Sequence, residues 1–125
     1  MIKINKKVYV CSPYRADTPE QFNQQLEYTK KVSRMVVVNG FDVIVPHLYY
    51  PLFLDDDYPE DRGLGMASAL SLLDVCDYLF VYIGSGVSQG MEVEIGLAKE
   101  KDMDIRYFSS MSQLKDRIKR CQTQN

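Results

Sequence analysis

Two glutamates, Glu92 and Glu94, stand close together in GSGVSQGMEVEIGLAKE, residues 84–100. A carboxylate near the start of a helix can serve as nucleophile, acid or base if its surroundings adjust it. The helical period separates the pair. At roughly 100° per residue, Met91, Val93, Ile95, Leu97 and Ala98 form one apolar face, and Glu94 falls inside it, between Leu97 and Ala98. Glu92 and Lys99 fall on the polar side, so Glu92 reads as a solvated residue. A carboxylate in an apolar stripe is costly unless it is paired, hydrogen-bonded or protonated. That cost makes Glu94 the catalytic candidate. The structural alternatives are a buried ion pair, or a helix displaced enough to expose the side chain.

The loop before this helix is rich in glycine and serine. Gly84, Gly86 and Gly90 do not form a dinucleotide fingerprint. Three residues separate the second and third glycines where that motif has two, and the loop follows the third strand pattern rather than the first. No Gly-Lys-Ser/Thr follows, so it is not a P-loop. Such a loop delivers free backbone N–H groups to a helix start, where the dipole favours an anion. Ser88 is a natural N-cap. A plain cap and turn is the alternative.

Other residues offer less. His47, the only histidine, could act as an acid or contact phosphate, or could have no role. Tyr49, Tyr50 and Phe53 could stack on a base, but packing of their loop onto the body is the preferred reading. Asp55, Asp56 and Asp57 are adjacent and cannot readily face one ion, so they read as a solvated acidic tip and no metal site is expected. Arg62 is either a second phosphate contact or a partner of those aspartates. Cys11 has no adjacent base to make it a nucleophile, and Cys76 reads as core.

The elements that position these residues alternate. Lys7–Cys11, Asp42–Val45, Tyr78–Ile83 and Asp104–Phe108 read as strands. Glu20–Val38, Asp61–Val75, Ser88–Glu100 and Ser110–Arg120 read as helices, with Gly63 and Gly65 loosening the start of the second. The valine triplet ending the first helix favours a strand by propensity, but the period and the Asn39-Gly40 cap favour a helix. This order implies βαβ units around a buried parallel sheet. Ligands of such sheets bind beyond the carboxyl ends of the strands. Three loops meet there, spanning residues 12–19, 46–59 and 84–88.

The bulk numbers fit one domain over residues 1–125. Hydrophobic residues make up 46% and charged residues 26%, a globular balance able to bury a core. A net charge of −2 gives no basic footprint for nucleic acid. No apolar run is long enough to span a membrane. The N-terminus, MIKINKKVYVC, does not read as a signal peptide. Three cysteines without metal spacing read as free thiols in a cytoplasmic protein. The last residues, CQTQN, are expected to fray.

The segment SQGMEVEIGLA resembles the Glu-Leu/Ile-Gly-x-Ala segment of the nucleoside 2-deoxyribosyltransferase superfamily. VYVCSPYR resembles its first strand and loop, where related nucleotide hydrolases carry a Tyr-Phe-Cys-Gly-Ser-x-Arg-like run. The resemblance implies a flavodoxin-like or Rossmann-like three-layer α/β domain, with a parallel sheet of four to five strands. It implies Glu94 as nucleophile in N-glycosidic cleavage, Tyr9 lining the sugar site, and no cofactor. Six residues before the nucleophile, transferases of free nucleosides tend to have aspartate and hydrolases of nucleoside 5′-monophosphates have serine. Here that residue is Ser88. With Arg15 it implies a 5′-phosphate pocket, to which Ser12, His47, Gly86, Gly90 and Met91 are added as substrate contacts. The family's base-contacting aspartate falls at Ser68 or Ala69, and Ser12-Pro13 replaces a Gly-Ser pair.

The expected function is hydrolysis of a nucleoside or deoxynucleoside 5′-monophosphate to base and sugar phosphate, in a homodimer or larger homo-oligomer. Deoxyribosyl transfer is the second reading. A nucleotide-binding or sensing module without catalysis is the third, and a partner-binding protein is the fourth, for which the sequence offers no specific feature.

Overall fold

The computed structural model describes residues 4–123. The chain alternates β1 (Lys7–Cys11), α1 (Pro19–Val38), β2 (Asp42–Ile44), α2 (Pro59–Leu73), β3 (Tyr78–Tyr82), α3 (Gln89–Glu100), β4 (Asp104–Phe108) and α4 (Met111–Thr123). Two short 3₁₀ turns, Pro46–Leu48 and Tyr50–Leu52, lie between β2 and α2. The four strands are parallel in the order β2-β1-β3-β4, the flavodoxin-like arrangement of an α/β fold.

Alternation along the strands splits the core in two. Val8, Val10, Tyr78 and Phe80 pack with Val32 and Val36 of α1 and Leu114, Ile118 and Cys121 of α4. Tyr9, Cys11, Leu79 and Val81 pack with Ala69 and Leu73 of α2 and Met91, Ile95 and Ala98 of α3. Full burial of each large aliphatic or aromatic side chain stabilises by about 1.5–3 kcal/mol, so both layers are held firmly. All three cysteines are free thiols. No helix of the described residues is long and apolar enough to cross a membrane.

Boundaries moved where tertiary context decided them. The valine triplet is helical: Val36 is buried while Val37 and Val38 are exposed, and Gly40 closes α1 with φ +94°. α2 starts at Pro59, two residues before Asp61, because proline suits the first helical position. It stops at Leu73, short of the expected Val75. The expected fraying from Cys121 onward does not occur through Thr123, since Cys121 is fully buried and anchors α4. Gln124 and Asn125 lie outside the described residues.

β1 sits at the point where the connections diverge. The helix following it, α1, packs on one face, and α3, following the neighbouring β3, packs on the other. The loops leaving β1 and β3 therefore separate and leave a crevice beyond the strand ends.

Candidate functional site

α3 has a fixed start. Ser88 Oγ accepts the Met91 N–H at 3.3 Å, and the Ser88 N–H approaches Met91 Sδ at 3.5 Å. From that cap Met91, Glu94, Ile95 and Ala98 face the sheet at helical spacing, and all four are buried. Glu94 is 4% exposed. Val93, expected on the same face, is 48% exposed. The buried stripe is narrower than the apolar pattern and Val93 lies past its edge.

The Glu94 carboxylate meets the end of β1. The Cys11 thiol donates to Glu94 Oε1 at 3.8 Å. Glu94 Oε2 and the Tyr9 hydroxyl are both buried; they close no hydrogen bond of full geometry, yet the hydroxyl stands near enough to act as a weak donor to the carboxylate. Burial pushes the Glu94 pKa up to about 7, while the nearby Tyr9 and Cys11 donors pull it down. Burial first, and the Glu94 charge second, drive both Tyr9 and Cys11 far up, so both stay protonated at neutral pH. No cation is among the groups that shift Glu94. This is neither a buried ion pair nor an exposed helix face. It is a buried carboxyl group at a cavity wall, poised between its two protonation states near neutrality.

Glu94 lines a cavity of about 650 Å³, within the usual size range of small-molecule sites. Tyr9, Ser12, Arg15, His47, Ser88, Gly90 and Met91 line it as well. Gly86 does not. It borders a neighbouring groove of about 700 Å³. Ser12, Arg15 and Ser88 border both spaces.

The loops bring these groups together by local necessity. A side chain at Gly84 would overlap the Tyr82 ring, which is held between Tyr28 and Phe108. Gly86 has φ +87°, a conformation costly for other residues. The first N–H groups of α3, at Gln89 and Gly90, have no intrahelical partner and stand beside the Ser88 hydroxyl. Arg15 Nη2 pairs with Asp56 Oδ2 at 2.9 Å, with both side chains partly exposed. Such a pair stabilises the fold little and leaves the guanidinium open to a competing anion.

His47 lies with its ring edge-on to Tyr14, centroids 5.0 Å apart, and its Nδ1 is buried without a partner. Burial lowers its pKa to about 4, against the weaker pull of Asp56. The imidazolium needed for acid catalysis or for a charged phosphate contact is therefore scarce at neutral pH. A neutral ring donor remains.

The acidic run is largely solvated, with Asp55 and Asp57 exposed, but its middle residue has a partner. Asp56 turns to Arg15 and lines the cavity. The Asp55 N–H donates to Asp61 Oδ2 at 2.8 Å, and the Asp57 N–H donates to Asp55 Oδ1 at 3.0 Å. The partner of the acidic run is thus Arg15 rather than Arg62, which lines the cavity. Tyr49 meets Tyr50 at a tilt and Tyr50 meets Phe53 edge-on, with Tyr50 alone of the three bordering the cavity.

Sequence reasoning missed Tyr14, Asp56, Asp61 and Met66 as cavity residues. Asp61, Gly65 and Ala69 repeat at the helical spacing of four along α2. That stripe was a usable signal. It places an acidic group on this wall two turns before Ala69, one of the two positions that the family resemblance gives to a base-contacting aspartate.

No curated protein matches the chain. Among solved structures, it is similar to a 2-deoxyribosyltransferase from the psychrotolerant bacterium Bacillus psychrosaccharolyticus. The TM-score is 0.68 and the identity 21%, over 82% of this chain and 72% of that one. At that identity the likeness is one of fold. Residues 6–108 match the family described as Domain of unknown function, DUF7768, and the chain belongs to that family.

Proposed function

We propose that this protein is an N-glycosidase that hydrolyses a nucleoside or deoxynucleoside 5′-monophosphate. The observation carrying the reading is Glu94: buried, without a cation, on a cavity wall, at the ligand edge of a sheet with the fold of a 2-deoxyribosyltransferase. A Glu94 oxygen attacks the anomeric carbon, the C–N bond breaks, and the electron pair leaves with the base, which takes a proton from solvent. Water then attacks the same carbon. The ester bond breaks, the carboxylate is restored and a proton is released. The protonated Tyr9 and Cys11 donors stabilise Glu94 as it regains charge. Asp61, which lines the same cavity and has one oxygen held by the Asp55 N–H, accepts a hydrogen bond from the base with the other. The phosphate sits on the Arg15 guanidinium, the Ser88 hydroxyl and the first N–H groups of α3.

Hydrolysis is preferred over deoxyribosyl transfer because Ser88 and Arg15 suit a phosphate that a free nucleoside lacks. The shared fold keeps transfer as the second reading. Incubating the protein with ribo- and deoxyribonucleoside 5′-monophosphates and the matching nucleosides separates them, with free base followed by chromatography. Hydrolysis predicts base release from monophosphates alone, lost in Glu94→Gln. Base exchange between free nucleosides would establish the transferase. Nucleotide binding with no cleavage, unaffected by Glu94→Gln, would establish a sensing module.

A further inference from the structure

The position given above to the phosphate lies on a border shared by two spaces. Beyond it, away from Glu94, the second groove runs between α1 and the β3–α3 loop, with a volume of about 700 Å³. Its chemistry differs from that of the Glu94 cavity. Gln21, Gln24, Gln25, Tyr28 and Ser85 line it with neutral amides and hydroxyls. Gln25 Oε1 and the Tyr28 hydroxyl are buried and have no hydrogen-bond partner within the protein. Buried polar atoms are nearly always paired, so two unpaired ones on one groove leave bonding positions for a bound ligand or a water to fill. Tyr28 has little freedom to turn away, because its ring packs on Tyr82 with centroids 4.6 Å apart.

Charge also bears on the ligand. The shared border carries one cation, Arg15, already partnered by Asp56, and Asp17 lines the groove. A phosphomonoester carries nearly two negative charges at neutral pH, whereas a phosphodiester carries one. A single shared guanidinium matches the diester better. The overall charge of −2 disfavours a long polyanion.

We propose that the groove is a second nucleoside site and that the substrate class is a dinucleoside monophosphate. This rests on the placement of phosphate at Arg15 and Ser88. The nucleoside to be cleaved occupies the Glu94 cavity, the bridging phosphate lies at Ser12, Arg15 and Ser88, and Gln25 and Tyr28 hydrogen-bond the second nucleoside.

Binding to the Glu94→Gln protein, measured by calorimetry, tests this without turnover. The probes are 3′→5′-linked dinucleoside monophosphates carrying each base at the 5′-phosphorylated position, beside the matching nucleoside 5′-monophosphates. The best dinucleoside binds about tenfold tighter than its monophosphate, as one or two added hydrogen bonds allow. Gln25→Leu and Tyr28→Phe, added singly, each remove most of that advantage and leave monophosphate binding unchanged. Tyr28→Phe deletes only an oxygen, so it keeps the test open if Gln25→Leu misfolds. Equal or weaker dinucleoside binding would overturn the proposal, as would a preference that neither variant alters. Base release by the unmodified protein keeps the two readings apart. Variant-sensitive dinucleoside binding without cleavage keeps the second site and removes the glycosidase. Cleavage of monophosphates without dinucleoside preference does the reverse.

Discussion

β1 sends Val8 and Val10 to one face of the sheet and Tyr9 and Cys11 to the other. The first pair meets α1 and α4 in a layer whose buried side chains are mostly aliphatic and aromatic. The second pair meets α2 and α3, where Glu94 is buried among apolar neighbours and the Tyr9 hydroxyl closes no hydrogen bond of full geometry. One strand thus meets only apolar and neutral buried side chains on one side and a buried carboxyl group on the other. The carboxyl group is in the layer that borders the Glu94 cavity, the pattern expected where function overrides packing.

Substitutions on the two faces should therefore fail in opposite ways. The largest effect is at Glu94. Glu94→Gln is expected to lower base release about 10³-fold or more while raising stability at pH 8. The sign follows from linkage. Between the usual carboxylate range and about 7, the folded chain holds a proton that the unfolded chain has shed, so stability falls as pH rises through that window. The full cost is present above it. A shift of that size corresponds to about 3 kcal/mol, and urea unfolding at pH 5 and pH 8 reads how much of it the glutamine recovers.

Next comes the opposite face. Leu114→Ala should cost about 2–4 kcal/mol of stability and leave turnover at 25 °C unchanged, which unfolding curves and base-release rates measured together can check. Smaller is Arg15→Met. KM for a phosphorylated substrate should rise about tenfold through loss of a charge-assisted contact. The urea midpoint should stay in place because the Arg15–Asp56 pair is exposed. The smallest is Tyr9→Phe. Losing a donor that holds Glu94 down should move the acid limb of the kcat–pH profile upward by about half a unit. The rate at pH 7 then falls about two- to threefold and recovers above pH 8.

Much of the frame was legible in the sequence. Hydrophobic runs located all four strands, and Glu94 announced itself as one carboxylate inside an apolar stripe. What stayed hidden depends on distant partners. Asp56 faces the cavity because Arg15, far away in sequence, holds it there, and no local pattern in a run of three aspartates singles it out. Asp61 stayed hidden because the family resemblance puts the base-contacting aspartate at Ser68 or Ala69, about two turns further along α2. Gly86, at a positive φ that no sequence period foretells, lines the adjacent groove instead of the Glu94 cavity. Val93 looked buried because a period assigns a face, and only packing sets that face's width.

The most direct measurement is mass spectrometry of the protein after reaction with a nucleoside 5′-monophosphate bearing fluorine at C2′. The fluorine destabilises the oxocarbenium-like transition state and slows release of the sugar from the enzyme. The account predicts a mass increase equal to one fluorinated sugar phosphate less one water, carried by the peptide that contains Glu94 and absent in Glu94→Gln. Base release with no adduct on that peptide, or an adduct on another residue, would contradict it.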